Sequence, residues 1–409
     1  MNPNDRSVIQ VTTVGHALVH TFELSIPIFV PIWLGYFDTT AAIIGIVVAI
    51  GYGLFGVGAL PGGVLTDAIG SKQLIASCLL GMGLAFLVLS LAQSIWGVAF
   101  ALALWGATAS VYHPAGLRLI STGVTDRGRG FAYHGMAGNL GIALGPLATA
   151  ILLLLFEWRV VAMVLTVPAL VAGMLTFRSN LDETAAIPAD RSHDLEETDR
   201  PGVRAIFAQS KVLFASAFAL VFVMVMFSGT FYRGVLTFLP EIVGAFPGFE
   251  PIEIGIRTLE PANYFYVGIL LVGVAGQYVG GRLADRIRTE IGLLVGFSVL
   301  AVIAVLFVPA VAWGMGAFLI VGALLGFFLF MVQPLFQVTV AEYSPPEARG
   351  LAYGFTYLGI FGVGAGGGAI AGILVTYATA ETLFLLLAGI VVVPAGLAVA
   401  LVSIRSRAG

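Results

Sequence analysis

Charged residues are scarce in this sequence of 409 residues, where Lys, Arg, Asp and Glu together make up 10%. An ordinary soluble domain carries about 25% charged residues, so a water-exposed surface of this size could not be covered. Hydrophobic residues make up 59%, and the mean hydropathy is +1.02. Composition therefore predicts a polytopic membrane protein in contact with the lipid bilayer. The net charge of −3 gives no reason to expect a nucleic-acid partner.

The sequence has one cysteine and no nucleotide-binding motif. The single cysteine, Cys78, excludes an intrachain disulfide and a cysteine-cluster metal site. No Gly-x-x-x-x-Gly-Lys loop is present, so the residues that an ATP-driven pump needs are absent. We expect neither an enzyme nor a bound cofactor. A membrane sensor without transport activity is disfavoured too, because the sequence contains no soluble signalling domain.

Long apolar runs are abundant. A helix needs roughly 20 apolar residues to cross the hydrocarbon core, and this criterion predicts twelve spans. They lie at 11–34, 41–63, 74–92, 96–121, 130–155, 160–177, 212–239, 261–284, 291–309, 314–340, 350–377 and 382–403. A long polar segment separates the sixth span from the seventh. We therefore predict an all-α integral membrane fold with a six-helix bundle over 1–178, a cytoplasmic linker over 179–211 and a second six-helix bundle over 212–409.

The basic residues predict the orientation in the membrane, since Lys and Arg are enriched in cytoplasmic loops. Of the 19 lysines and arginines, only Arg159 and Arg257 fall on the predicted outer side, and Arg233 falls within a span. All the others lie on the inner side. The sequence thus predicts a multi-pass protein of the cell (inner) membrane with both termini and the linker in the cytoplasm.

The two predicted halves repeat each other. GGVLTDAIGSK (62–72) follows the second span and GGRLADRIRTE (280–290) follows the eighth, with their aspartates 218 positions apart. RGFAY (129–133) matches RGLAY (349–353) at an offset of 220. Two such repeats around a site near the membrane midplane are typical of transporters that rock between two states. We expect alternating access by a monomer.

These motifs resemble a known family. GGVLTDAIGSK is similar to the Gly-x-x-x-Asp cytoplasmic loop signature of the major facilitator superfamily, and the resemblance covers essentially the whole chain. Within it, the sequence most resembles the fosmidomycin-resistance efflux group, through Tyr112-His113-Pro114, Gly138-Asn139-Leu140-Gly141 and Leu144-Gly145-Pro146. Arg233 before TFLP (237–240) fits that group as well. The resemblance implies export driven by proton exchange, and Gly141-x-x-x-Gly145-Pro146 is similar to an antiporter motif. The fourth span departs from many proton-coupled exporters because ALALWGATAS carries no Arg.

Four of the five histidines lie inside predicted spans. His16, His20 and Glu23 are spaced i, i+4 and i+7, so they share one face of the first helix. His113 and His134 are predicted to approach the same cavity from its cytoplasmic side. Ionisable residues inside a membrane are functional candidates, because a charge there is unfavourable.

Three roles stay open for these side chains. They could carry protons, since histidine changes charge between about pH 5 and 8. They could bind substrate, either an anion or a divalent transition metal held by His16, His20 and Glu23. They could also be hydrogen-bonded core or gate residues, above all His134. Asn139 is either a substrate contact or a helix-packing residue. Arg233 is either an anion site or a side chain that reaches the outer interface beside Glu241.

A second set of residues is predicted to form the inner gate, as the resemblance implies. Asp67 would pair with Arg127 or Arg129, and Asp285 with Arg349, in one of the two states. Gly145 and Pro146 belong to this set as well, from the element of the fifth span that resembles the antiporter motif. The sequence as a whole predicts a secondary active transporter, with proton-coupled export of small organic compounds or drugs such as phosphonate-type anions as the main hypothesis. Transport of divalent metal ions or organic anions is the alternative.

Overall fold

The computed structural model describes residues 1–187, 203–255, 257–345 and 348–408, without the side chains of Asp67, 203–205 and 407–408. Twelve helices in these ranges are long and apolar enough to cross a membrane, which confirms the predicted number of spans. In chain order, the spans are Pro3–Tyr36, Ala41–Thr66, Ser71–Ser90, Ile95–Gly123, Arg127–Leu153, Trp158–Arg178, Phe218–Leu236, Pro261–Ala284, Thr289–Phe307, Met315–Tyr343, Arg349–Tyr377 and Ala380–Ser406.

Several spans are interrupted or extended. The second consists of helices Ala41–Val57 and Ala59–Ile69, and the fourth of Ile95–Ala109 and Tyr112–Gly123. In the eleventh, a π-helical segment at Leu358–Val363 lies between helices Arg349–Tyr357 and Gly366–Tyr377. The twelfth helix runs over Ala380–Ala408. Shorter elements are the helices Val203–Ala215 and Leu239–Gly244 and a 3₁₀ helix at Pro309–Trp313.

The first span begins earlier than the hydropathy of the sequence predicts. Its helix starts at Pro3, and the Asn2 side chain accepts a hydrogen bond from the Asp5 amide. An Asn cap followed by Pro at the first helical position is a strong start signal that an apolar-run criterion cannot detect. His16 consequently lies about 20 Å along the helix at 1.5 Å per residue, well away from its end.

The predicted linker is partly helical. Helix Val203–Ala215 begins within 179–211 and ends before the seventh span, which is shorter than predicted. Residues 188–202 of the predicted linker lie outside the described residues. The preceding segment packs on the bundle, where the Glu183 carboxylate accepts hydrogen bonds from the Ser71 and Lys72 amides at the start of the third span.

The segment that connects the seventh and eighth spans contains two short β-strands, which are the strands found within the described residues. Ile252–Ile254 and Arg257–Leu259 pair antiparallel, with Ile252 opposite Leu259. Gly255 lies in the turn between them with a φ of 65°, a conformation that glycine adopts without strain. This hairpin is a small addition to an otherwise all-helical fold.

The spans pack in the same pattern in both halves. In the first half, the first span packs on the fifth, the second on the fourth and the third on the sixth. The corresponding pairs in the second half are the seventh with the eleventh, the eighth with the tenth and the ninth with the twelfth. Between the halves, the second span packs on the eleventh and the fifth on the eighth. This repeated pattern agrees with the duplication predicted from the sequence.

Candidate functional site

The polar face of the first span forms a connected chain of side chains. His16 Nε2 and His20 Nε2 are 3.1 Å apart, and His20 Nδ1 is 2.7 Å from Glu23 Oε2. The other carboxylate oxygen of Glu23 accepts a hydrogen bond from Arg233 Nη2. Arg233 belongs to the seventh span, so this chain joins the two halves of the protein.

The other two intramembrane histidines complete a cluster of four. The His134 ring stacks on His16 with centroids 3.9 Å apart, and the His134 carbonyl lies 2.7 Å from His16 Nδ1. His113 approaches the rings of His16 and His20 at 5.4 and 5.7 Å. His113 and His134 are buried. The fourth and fifth spans therefore deliver the two side chains that the sequence places near the first span.

Glycines bring the fifth span close enough for this contact. A Cβ at Gly138 would lie 2.5 Å from His16 Cε1, and one at Gly141 would lie 2.1 Å from the Ala17 carbonyl oxygen. At Gly145 the nearest atom is the Cα of Thr21, at 2.6 Å. The Gly141-x-x-x-Gly145 element thus serves as a packing surface in this structure. No hydrogen bond among the described residues joins Asn139 to the cluster.

Arg233 is deeply buried, with 1% of its surface exposed. Its Cζ lies 3.6 Å from the centroid of the Tyr52 ring, a cation–π contact, and Glu23 neutralises its charge. The alternative in which Arg233 reaches the outer interface beside Glu241 is wrong, because the guanidinium turns inward to a carboxylate of the other half. Sequence reasoning could not find this pair, since nothing in either span indicates which residue faces the other.

Tyrosine hydroxyls support the backbone of the first span near Glu23. Pro27 has no amide proton, so the Glu23 carbonyl lacks the donor that a helix normally supplies. The Tyr52 hydroxyl donates a 2.7 Å hydrogen bond to that carbonyl, and the Tyr266 hydroxyl donates to the Leu24 carbonyl at 3.0 Å. Neither tyrosine is among the site residues that the sequence predicts. The one available signal was a large aromatic residue between Gly51 and Gly53.

The hydrogen-bond partners restrict where protons can lie. A carbonyl oxygen only accepts, so His16 Nδ1 carries a proton and donates it to the His134 carbonyl. His20 Nδ1 faces a carboxylate, which favours a proton there as well. In neutral rings, both Nε2 atoms would then present lone pairs to each other at 3.1 Å. One additional proton would convert this repulsion into an N–H···N hydrogen bond.

The same rings offer ligands for a metal ion. One nitrogen from each of His16, His20 and His113 falls within 4.8 Å of the others. Two nitrogen ligands of one Zn²⁺ can be at most about 4.2 Å apart, given bonds of about 2.1 Å. A pair of nitrogens near the 4.8 Å limit would have to move closer before all three rings could bind a single ion. The hydrogen-bond geometry fits a proton without movement.

The predicted gate residues lie at the end of the bundle that carries the basic loops. Asp285 and Arg349 are exposed, and no ion pair joins them in the described part of the chain. The expected Asp285–Arg349 pair is thus absent from this conformation. Arg127 donates to the Ala186 carbonyl at 3.4 Å, and the Arg129 guanidinium lies 5.8 Å from the Tyr133 ring. The Asp67 side chain lies outside the described residues, so its pairing is still a prediction.

Known proteins resemble this chain, some over most of its length and others over a part of it. The membrane sensor protein UhpC of Salmonella typhimurium is 25% identical over 369 residues, covering 86% of this chain and 81% of that protein. The Na(+), Li(+), K(+)/H(+) antiporter of Planococcus maritimus is 30% identical over 125 residues, covering 28% of this chain and 29% of that protein.

The fold is also found among solved structures. A bacterial homologue of the human lysosomal transporter Spinster, in an inward-facing and occupied conformation, matches with a TM-score of 0.73 at 14% identity and covers 97% of both chains. The sequence profile described as the Major Facilitator Superfamily matches residues 12–366 and 262–408. This match, the twelve spans and their repeated packing agree, and the chain belongs to the Major Facilitator Superfamily of membrane transporters.

Proposed function

We propose that this transporter is proton-coupled and exports small organic compounds, phosphonate-type anions among them, by alternating access. The observation that carries the proposal is the 3.1 Å contact between His16 Nε2 and His20 Nε2. With the Nδ1 atoms of both rings donating elsewhere, a proton between the two Nε2 atoms would stabilise this contact. The polar chain it belongs to ends at an ion pair between the two halves, so proton binding acts on the interface that has to rearrange.

Loss of the proton changes the link between the halves. The two nitrogen lone pairs repel each other at that distance, so the rings separate. Movement of His20 removes a hydrogen-bond partner from Glu23, whose other oxygen binds Arg233. The Glu23–Arg233 pair joins the first and seventh spans, and its rearrangement when the second oxygen becomes free shifts the balance between the two arrangements of the halves. A bistable interface of this kind is what a coupled carrier needs.

Two further observations support proton-coupled export. The motif resemblance to the fosmidomycin-resistance efflux group includes His113 and Arg233, and both lie in or beside the cluster. The name of the Planococcus relative describes a proton antiporter, although the match covers 28% of this chain. Export rather than import rests on these resemblances alone, and so does the choice of organic compounds.

Proteoliposomes provide the test. A pH gradient should drive transport in the wild type, and His16→Asn, His20→Asn and Glu23→Gln should each abolish this driven transport while substrate exchange without a gradient continues. The matched control is His193→Asn. This variant changes the fifth histidine of the chain, which lies in the predicted linker and not in a span. If driven transport survives in all three cluster variants, the proton hypothesis is wrong. The Salmonella relative is named as a sensor, so a sensing function is the other possible outcome of the test. A variant that cannot transport but keeps its full biological effect would establish it.

Divalent metal transport is the second candidate, favoured by the three histidine nitrogens that lie within 4.8 Å of one another. Neutral imidazole suits Zn²⁺, Ni²⁺ and Fe²⁺, and the hydrogen bonds on the Nδ1 side of His16 and His20 resemble the support that metal-bound histidines receive. Uptake of these ions into proteoliposomes distinguishes the candidates. Metal flux that disappears in His113→Asn and needs no pH gradient would favour metal transport over proton coupling.

A further inference from the structure

We propose that Arg233 binds a single anionic group of the transported compound, a carboxylate or a singly charged phosphonate, in the place that Glu23 occupies in this structure. The inference rests on the proposed transport function and specifies its substrate class. It makes the Glu23 carboxylate an internal competitor, which neutralises Arg233 whenever the compound is absent.

The guanidinium has unused binding capacity. Arg233 donates to Glu23 through Nη2, whereas its buried Nε has no hydrogen-bond partner among the described residues. A guanidinium binds an oxyanion best through two parallel N–H···O bonds, and Nε with one Nη forms such a fork. Glu23 shares its other oxygen with His20, so it makes one contact with Arg233 where an external oxyanion could make two.

Charge balance explains why the group that replaces Glu23 at Arg233 carries one negative charge. Among the described residues, Glu23 is the single anionic side chain paired with Arg233. Displacing Glu23 with a neutral or cationic compound would leave a buried guanidinium without a counter-ion, which is strongly unfavourable. A monoanion restores the balance at Arg233, while the proton that the proposed function places between His16 and His20 balances the displaced Glu23 carboxylate beside His20. A dianion leaves an excess negative charge in the same low-dielectric surroundings.

The remainder of the compound would meet aromatic rings. The centroids of Tyr52, Tyr232 and Phe361 lie 3.6, 5.3 and 5.5 Å from Arg233 Cζ. Tyr52 comes from the first half, and the other two come from the seventh and eleventh spans of the second half. An apolar or aromatic group next to the charged group would pack on this surface. The preferred ligand is therefore a small monoanion with an apolar body.

Binding to purified protein tests the inference at one fixed pH, with benzoate as the probe and benzamide and benzylammonium as uncharged and cationic counterparts. Benzoate should bind the wild type, and the other two should not. Glu23→Gln removes the competitor and should tighten benzoate binding at least tenfold. Arg233→Gln should abolish it, and Arg233→Lys should weaken it because an ammonium lacks the planar fork.

Two outcomes in the single variants would overturn the inference. One is benzoate affinity in Arg233→Gln equal to that of the wild type, and the other is weaker rather than tighter binding in Glu23→Gln. The double variant Glu23→Gln/Arg233→Gln replaces the ion pair with two neutral amides, and should fold yet not bind benzoate. If it binds benzoate like the wild type, the inference fails. Proton coupling is tested separately, since His16→Asn should retain benzoate binding whether or not gradient-driven transport is lost.

Discussion

The Tyr52 hydroxyl donates a hydrogen bond to the Glu23 carbonyl at 2.7 Å, across the contact between the second and first spans. That carbonyl is free because Pro27, four residues further along, has no amide proton. The same Tyr52 ring lies under the Arg233 guanidinium. One side chain thus repairs the break in the helix and supports the cation that pairs with Glu23.

Replacing Tyr52 with Phe should lower the thermal stability of the protein. The ring and its cation–π contact remain, whereas the Glu23 carbonyl loses its donor, and a buried group without a partner costs about 1–3 kcal/mol. Pro27→Ala supplies the control, because alanine restores an amide proton to the helix. The Tyr52→Phe effect on melting temperature should then be much smaller in the Pro27→Ala background. Equal effects in both backgrounds would show that the hydroxyl does not replace the missing helical donor.

Gly138→Ala should impair coupled transport. The new Cβ would lie 2.5 Å from the His16 ring, so the ring must leave its stacked position on His134. Gly135→Ala is a matched control in the same helix, since a Cβ there meets no atom within 4 Å. We expect gradient-driven transport to fall at least tenfold in Gly138→Ala and to stay near the wild-type level in Gly135→Ala. Similar rates in the two variants would mean that the ring position does not matter for coupling.

The sequence predicts the spans and the residues that share a helix face, but it does not predict contacts between the two halves. The number of spans follows from bilayer thickness, so apolar runs are sufficient to find them. The shared face of His16, His20 and Glu23 follows from helix periodicity alone. The Glu23–Arg233 pair could not be found in this way, because the residues are 210 positions apart and their meeting depends on how the two halves pack.

Local and conformational features account for the other differences. The polar first turns of the helix that starts at Pro3 carry no apolar signal, and the short strand Ile252–Ile254 is below the length that sequence patterns resolve. The expected Asp285–Arg349 pair depends on which of two conformations is observed. A single sequence contains both states of a transporter, whereas one structure contains one state.

The basic end of the second half contains a buried carboxylate with an identifiable counter-ion. The Glu290 side chain has 0% exposure, and Arg405 bridges it to Glu342 with contacts of 2.9 Å to each. Arg405→Gln should leave Glu290 without its closest cation and should destabilise the protein by about 1–3 kcal/mol, less than for a fully buried pair because Arg405 is half-exposed. Arg286→Gln changes an exposed arginine nearby and should have little effect on the melting temperature. Equal melting temperatures for the two variants would exclude a stabilising role for Arg405.

The connection after the seventh span should make stability depend on pH. Burial raises the pKa of Glu241, and the negative charge of Glu260 raises it further. The folded protein then holds a proton on Glu241 at pH values where the unfolded chain, with a Glu pKa of about 4.3, has released it. The stability gained from this proton is complete below the unfolded pKa and is lost as the pH rises through the folded one.

Glu241→Gln keeps an uncharged side chain at every pH and removes this dependence. Its melting temperature relative to wild type should therefore increase as the pH rises from about 4 to 7. Glu250→Gln is the opposite control, because backbone hydrogen bonds lower the pKa of Glu250 and its contribution is lost as the pH falls. Thermal denaturation in detergent across this range measures both variants. If the melting temperatures of Glu241→Gln and wild type differ by the same amount at every pH, Glu241 has the same pKa in the folded and unfolded protein. The partly buried connection would then leave its carboxyl as well solvated as in the unfolded chain.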